Sequence, residues 1–301
     1  MRQLTGLCSL CGNDQFSSAR MNLVGCKACG CILDSKIWRA SANLELEEEW
    51  FEQRYNLNLS FWVKMFEAWH NRQTIRSIIN FTQKKGGKLL EIGVGSGSFL
   101  NSIRRKGFDV TGCDLSKTLS RHVERTYGIP VHNGFVSSLP SDPHYDVIVM
   151  NHVLEHVNDP ISLLKDIRSR LKQDGLLHLA VPNVASWEAA LPGWASYEPY
   201  HLVYFTPETL RKTLESAGFK VIRLVTRDSF SGWFLAIIRT LLRVNSKDRG
   251  RYHSIPKGRR VSWIEHFYRF AMVSFGIFSF PLRYLQAHLG FGDEIVILAQ
   301  P

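Results

Sequence analysis

The chain has 301 residues, 45% hydrophobic and 21% charged, which excludes a disordered or low-complexity protein and allows a sizeable core. Its formal net charge of +10 fits an anionic partner (nucleic acid, an acidic membrane surface or a phosphorylated substrate) or simply a soluble basic surface. Met1-Arg2-Gln3-Leu4 runs into a polar, cysteine-containing segment and not into a secretory signal. The six cysteines are therefore expected in a reducing cytoplasm, where metal binding is favoured over disulfides.

Residues 1–35 read as a separate unit. Cys8-Ser9-Leu10-Cys11-Gly12 and Cys26-Lys27-Ala28-Cys29-Gly30 are two CxxC-Gly knuckles. Two residues between cysteines let both sulfurs face one ion, and the glycine permits the tight turn. Four thiolates, Cys8, Cys11, Cys26 and Cys29, suit a tetrahedral structural Zn2+, with a dithiol redox pair as the alternative. Cys31 is either a substitute ligand or spare, and Cys113 belongs to a later strand core. So short a ribbon holds little apolar core, so the metal is expected to supply much of its folding energy.

Residues 36–85 form a helical lid or linker, rich in aromatics: Trp38, Trp50, Phe51, Tyr55, Phe61, Trp62, Phe66 and Trp69. Glu45-Leu46-Glu47-Glu48-Glu49 is a solvated helix face. Phe61, Met65, Ala68, Trp69 and Arg72 have amphipathic helical spacing. That face either packs on the main body, the simpler reading, or closes over whatever the next segment binds.

Residues 86–301 alternate strand and helix patterns. Strands are expected at 88–93, 109–114, 129–133, 145–151, 176–182, 220–227 and 294–300, and helices at 97–106, 117–127, 158–172 and 206–217. Such alternation implies a parallel sheet with helices on both faces, binding its ligand at the C-terminal ends of the strands. Residues 228–293 interrupt the pattern before the last strand. They hold an amphipathic candidate helix at 233–243 and basic residues Lys247, Arg249, Arg251, Lys257, Arg259 and Arg260. An apolar aromatic run follows over 270–282, short of the ~20 residues a bilayer span needs. Basic residues beside such a run mark an interfacial segment, or the run packs on the main domain.

The first strand ends in Glu91-Ile92-Gly93-Val94-Gly95-Ser96-Gly97-Ser98. Glycine lets the backbone turn tightly against a ligand, and the helix that follows offers free N–H groups. The pattern is GxGxG, with Ser98 where a dinucleotide fingerprint has its last glycine. Glu91 would repel a pyrophosphate but pair with an ammonium group. Asp114 ends the next strand, where a carboxylate accepts from both ribose hydroxyls. S-adenosylmethionine has an ammonium, a sulfonium and no phosphate.

With these residues the chain resembles the class I S-adenosylmethionine-dependent methyltransferases, over about residues 60–228 and the final strand. It looks like the broad group that includes the ubiquinone-biosynthesis O-methyltransferases. Also carrying the resemblance are Tyr145-Asp146-Val147-Ile148-Val149-Met150-Asn151-His152-Val153-Leu154-Glu155-His156, the segment 175–183, and His201-Leu202-Val203-Tyr204-Phe205-Thr206-Pro207-Glu208-Thr209-Leu210. The resemblance implies a Rossmann-like α/β fold with a seven-stranded, mostly parallel sheet. To this chain it adds the zinc ribbon and a helical insertion before the last strand. It implies Glu91, Gly93, Gly95 and Gly97 around the amino acid moiety, Asp114 at the ribose, and Gly134 and Phe135 beside the adenine, with Leu115 also among the cofactor-binding residues. Asn151 and His152 fall under the methionine end. Phe135 departs from the usual acidic or amide residue, leaving adenine recognition there to backbone and stacking.

Transfer to a hydroxyl needs a base. His201, in the polar-aromatic loop with Trp194, Tyr197, Glu198 and Tyr200, is the first candidate, followed by His156 and His152. The alternatives are a loop-pinning hydrogen bond for His201 and local capping or packing for His156, or a weak divalent-metal site from His156 and Glu155. The favoured function is methyl transfer, on oxygen, to a small-molecule or lipid- or saccharide-linked acceptor. The chain would be cytoplasmic, with the insertion docking on the inner membrane face or shaping the acceptor pocket. An RNA methyltransferase gripping phosphates through the ribbon and the basic insertion is the alternative. Asn151-His152-Val153-Leu154 lacks the Asn/Asp-Pro-Pro-aromatic sequence of base-amine methylation. A non-catalytic binding module is disfavoured by the intact glycine turn and Asp114.

Overall fold

The computed structural model describes residues 7–35, 61–84, 86–142, 144–197, 200–243 and 263–301. The acidic run 45–49, Trp38, Trp50, Phe51, Tyr55, Glu198 and the basic run 247–260 lie outside the described residues.

Three short strands come first: β1 (Phe16–Ser18), β2 (Leu23–Cys26) and β3 (Ile32–Asp34). Helix α1 (Phe61–Thr82) leads into β4 (Gly87–Ile92), α2 (Ser98–Arg104), β5 (Phe108–Asp114), α3 (Lys117–Tyr127) and β6 (Val131–Asn133). Then come β7 (Tyr145–Asn151), α4 (Pro160–Arg170), β8 (Leu171–Pro182), β9 (Val203–Tyr204), α5 (Pro207–Ser216) and β10 (Lys220–Arg227). Helices α6 (Gly232–Leu241) and α7 (Trp263–His288) precede β11 (Glu294–Gln300).

Seven strands form one sheet in the order β10-β11-β8-β7-β4-β5-β6. The pairs β4–β5, β4–β7, β5–β6 and β7–β8 are parallel. Strands covered on both faces must be apolar throughout, and Val147, Ile148, Val149 and Met150 of β7 are all fully buried. β8 starts at Leu171, earlier than the apolar run alone marks. Leu171 pairs with Tyr145, and the register then shifts to Val147–Leu176. From β4 the chain winds one way to β5 and β6 and the other way to β7 and β8, so the crevice beyond β4 is the switch point where such sheets bind ligands. Local signals set the helix starts. Ser116 accepts from the Leu119 N–H ahead of α3, and Asp159 accepts from the Ser162 N–H ahead of α4, whose first residue is Pro160.

The chain forms two compact units: residues 43–180, 211–223 and 297–301 in one, residues 1–42, 181–210 and 224–296 in the other. The core of the first joins Ile75 and Ile78 of α1 to Leu89, Leu100, Ile103, Val123, Val147 and Leu298. The apolar spacing on α1 does not mark its packed face. Met65, Ala68 and Trp69 are exposed, whereas Asn71, Thr74, Ile75 and Ile78 are buried. The inward face is partly polar because it borders a cavity as well as the core.

In the second unit the N-terminal strands continue into a four-stranded sheet of order β1-β2-β3-β9. β9 pairs antiparallel with β3, Ile32 opposite Tyr204 and Leu33 opposite Val203. Leu23 of β2 shares a core with Ala189, Trp194, Tyr197 and Tyr204. The ribbon's missing apolar core thus comes from the segment after β8. The same unit holds α6 and α7 of the insertion.

Candidate active site and metal centre

A cavity of about 800 Å³ opens at the switch point. β4 delivers its floor. Gly93, Gly95 and Gly97 all have positive φ, +79°, +51° and +74°, a region L side chains rarely adopt. A Cβ on Gly93 would run into Cγ2 of Val153, and one on Gly97 would stand 2.7 Å from Cγ2 of Val123. The turn is therefore closed to any larger residue at both points.

Asp114 fastens this turn to β5. Its carboxylate accepts from the Val94 N–H and the Ser116 N–H, each at 2.8 Å. Burial pushes its pKa up, and those backbone N–H groups with that of Gly95 pull it down. Each oxygen keeps a lone pair for a further donor.

Glu91 is buried among the cavity-lining residues, and its Oε2 has no hydrogen-bond partner among the described residues. Burial, with the nearby charges of Asp114 and Glu67, holds its pKa well above the ordinary carboxylate value. Asn151 Oδ1, at the end of β7, also lines the cavity and is buried without a partner. Two such acceptors at one site can take donors from a ligand. Among the described residues, the charged ones lining the cavity are Glu67, Glu91, Asp114, Asp159 and Asp166, with no lysine or arginine. In a chain of net charge +10 this acidic lining disfavours a phosphate and favours a cation. These residues fit S-adenosylmethionine: an ammonium at Glu91 and Asn151, ribose hydroxyls at Asp114. Leu115 and Phe135 also line the cavity and expose apolar surface, 51% and 56%, with Gly134 beside them.

His152 and His156 line the same cavity. His152 adopts φ +55°, a strained value for this residue. Its Nδ1 lies 3.4 Å from Oε1 of buried Glu155. His201 belongs to the other unit, is 5% exposed, and meets the Tyr204 ring edge-on at 5.9 Å.

Helix α1 brings residues that the motif-based reading passed over. Glu67, His70 and Asn71 line the cavity. Ser96 Oγ donates to Glu67 Oε1 at 2.5 Å, and Asn71 Nδ2 donates to Ser98 Oγ at 2.8 Å. The signal available was the i, i+3, i+4 spacing of these polar residues on one helical face.

Cys8, Cys11, Cys26 and Cys29 converge, their sulfurs all within 4.8 Å of one another. The Cys8–Cys29 and Cys11–Cys26 sulfurs are 3.5 Å apart, near the ~3.8 Å edge of a tetrahedron with Zn–S bonds of about 2.3 Å. The donor set and spacing fit Zn2+. Cys31 stays outside that group. Hydrogen bonds to Cys29 and Cys8, together with burial, push its thiol up, while the hydrogen bond from Cys31 is the main influence drawing Cys29 down to about 4 and Cys8 to about 6.

A family model described as a methyltransferase domain matches residues 66–224, more than half of the chain. The chain belongs to the class I S-adenosylmethionine-dependent methyltransferases. Among the relatives of this methyltransferase is the ubiquinone biosynthesis O-methyltransferase of Aeromonas salmonicida, 29% identical over 160 residues, 48% of this chain and 65% of that protein. A methyltransferase of Alkaliphilus oremlandii is 31% identical over 123 residues, 40% of this chain and 56% of that protein. This chain thus spans less than two thirds of the length of either. A methyltransferase structure from Galdieria sulphuraria aligns with TM-score 0.50 at 15% identity, over 76% of this chain and 83% of that one, and shows the shared fold.

Proposed function

We propose that this methyltransferase transfers a methyl group to a hydroxyl of a small-molecule or lipid- or saccharide-linked acceptor. The observation that carries the transfer is a pair of buried acceptors without partners among the described residues, Glu91 Oε2 and Asn151 Oδ1, in an acidic cavity under a glycine turn. The reading of the acceptor as a hydroxyl rests on the O-methyltransferase among the relatives.

S-adenosylmethionine, when bound, supplies a methyl already activated on a sulfonium. Glu91 and Asn151 hold the ammonium, Asp114 the ribose, and Gly134, Phe135 and Leu115 the adenine. Their work is orientation for in-line attack and exclusion of water. Bound there, the cofactor would supply the methyl to an acceptor oxygen in line with its carbon–sulfur bond, the bonding pair staying with sulfur. The hydroxyl proton passes to a histidine, His201 first, with His156 and His152 as the cavity alternatives. Zn2+ at Cys8, Cys11, Cys26 and Cys29 is structural in this proposal.

Titration calorimetry with S-adenosylmethionine tests the cofactor site, and His201→Ala tests the base. The expected result is binding that survives in the variant while turnover of a phenolic acceptor falls at least ~100-fold. Turnover preserved in His201→Ala moves the role to His156 or His152. No binding in the wild type overturns the proposal.

A further inference from the structure

Helix α7 is amphipathic the wrong way round for a helix in water. Gly276, Ser279, Arg283 and Gln286 are buried, while Phe270, Ile277, Phe278, Phe280, Leu282 and Leu285 are exposed, Phe278 at 83%. At about 100° per residue the buried four fall on one stripe and the apolar six cover the opposite half.

The polar stripe is used inward. Arg283 donates to Ser279 Oγ at 3.0 Å, to the Ser229 carbonyl at 2.9 Å and to the Gly276 carbonyl at 2.7 Å. Its guanidinium also lies 5.5 Å from the Phe230 ring centre. Gln286 donates to Glu188 Oε2 at 2.7 Å and to the Phe291 carbonyl at 2.6 Å, and accepts from Trp233 Nε1 at 2.7 Å. Rolling the helix to bury its apolar side would strip a buried guanidinium of three hydrogen bonds and break the Gln286 set. The apolar face is therefore held outward.

An apolar face of this extent marks a docking surface, and charge selects the occupant. Just ahead of α7 in the chain, Lys247, Arg249, Arg251, Lys257, Arg259 and Arg260 stand against one acid, Asp248. Among the described residues no helix is long and apolar enough to cross a membrane. An apolar helix face beside a basic run is the pattern of a segment that lies in the bilayer interface, its rings among the acyl chains and its cations on anionic headgroups. We infer that α7 docks this methyltransferase on an anionic lipid surface, an occupant favoured by the basic sequence ahead of it and the net charge of +10. The inference stands on α7 and does not depend on which residue is the base.

Co-sedimentation of the full chain with phosphatidylglycerol vesicles, and with phosphatidylcholine vesicles alone, tests it. The expected result is binding to the anionic vesicles that salt weakens, and little binding to the neutral ones. The double substitution Phe278→Ser, Leu285→Ser should weaken that binding at least ~10-fold while leaving S-adenosylmethionine affinity and melting temperature unchanged. Cofactor binding is read on the same samples, so failure of the membrane site and failure of the methyltransferase reading are separate outcomes. Absence of binding to phosphatidylglycerol, or equal binding by the variant, overturns the inference. So does a wild-type dimer in light scattering that the substitutions convert to monomer, because the face then belongs to a second copy.

Discussion

Leu33 of the cysteine ribbon pairs through its backbone with Val203, two residues beyond His201. The ribbon is thereby part of the sheet that holds the loop after β8. Its β2 contributes Leu23 to the core around Trp194 and Tyr197. A metal bound by the four cysteines would therefore act on the His201 loop as well as on the ribbon.

The first prediction concerns that link. The wild type is expected to carry one zinc ion per chain by elemental analysis, lost in Cys26→Ser/Cys29→Ser. Hydrogen exchange across 201–205 should then accelerate, since β9 loses the strand that pairs it. S-adenosylmethionine affinity, which the proposed site assigns to residues of the other unit, should stay within a few-fold. Unchanged protection at 201–205 after zinc loss would show that the pairing holds without the metal.

Replacing Glu91 removes the buried carboxyl proposed to pair with the ammonium. Glu91→Gln should weaken S-adenosylmethionine binding roughly 10- to 100-fold, the loss of one charge-assisted hydrogen bond. The pH dependence has a definite sign. Glu91 titrates well above the ordinary carboxylate range in the free protein and must ionise to pair with the ammonium, so wild-type binding releases a proton and tightens as pH rises towards that value. Calorimetry in buffers of different ionisation enthalpy reads the proton directly, and the release should vanish in Glu91→Gln.

Gly93 tests the turn itself. At φ +79° and facing Cγ2 of Val153, Gly93→Ala should cost about 2 to 4 kcal/mol through backbone strain and overpacking. Thermal denaturation measures the cost. Val153 also lines the cavity, so any movement that relieves the clash should reduce cofactor binding as well.

Glu188 supplies a second pH signature. Burial, with the neighbouring charge of Asp293, raises its pKa to about 8. A carboxyl whose pKa is higher in the folded state than in the unfolded one loses its stabilising contribution as pH rises through the folded value. The wild type should therefore lose stability between about pH 5 and pH 8 through this group. Glu188→Gln keeps an oxygen for the Gln286 amide and removes the titration. It should melt higher than wild type above pH 8, with a flatter pH profile. Parallel profiles for the two proteins would mean that Glu188 is ionised at neutral pH.

Much of this was legible in local sequence because local physics sets it. The strand runs of the main sheet appear where continuous apolar stretches require them, and α3 and α4 begin at Ser116 and Asp159-Pro160. The glycine turn, Glu91 and Asp114 stand at fixed offsets along two strands, so spacing alone placed them in one crevice. α1 was misjudged because spacing cannot say which face of a helix meets a cavity. Its apolar Met65 and Trp69 face solvent, while polar Glu67 and Asn71 reach the glycine turn.

By itself the sequence determined the cofactor class and the cysteine cluster, since both depend on residues close along the chain or at the ends of adjacent strands. Only the tertiary structure decided that Leu33 pairs with Val203, and that α7 turns Arg283 inward and Phe278 outward. The first joins segments distant in the chain. The second depends on whether a helix meets polar partners or an apolar core, and no periodicity carries that information.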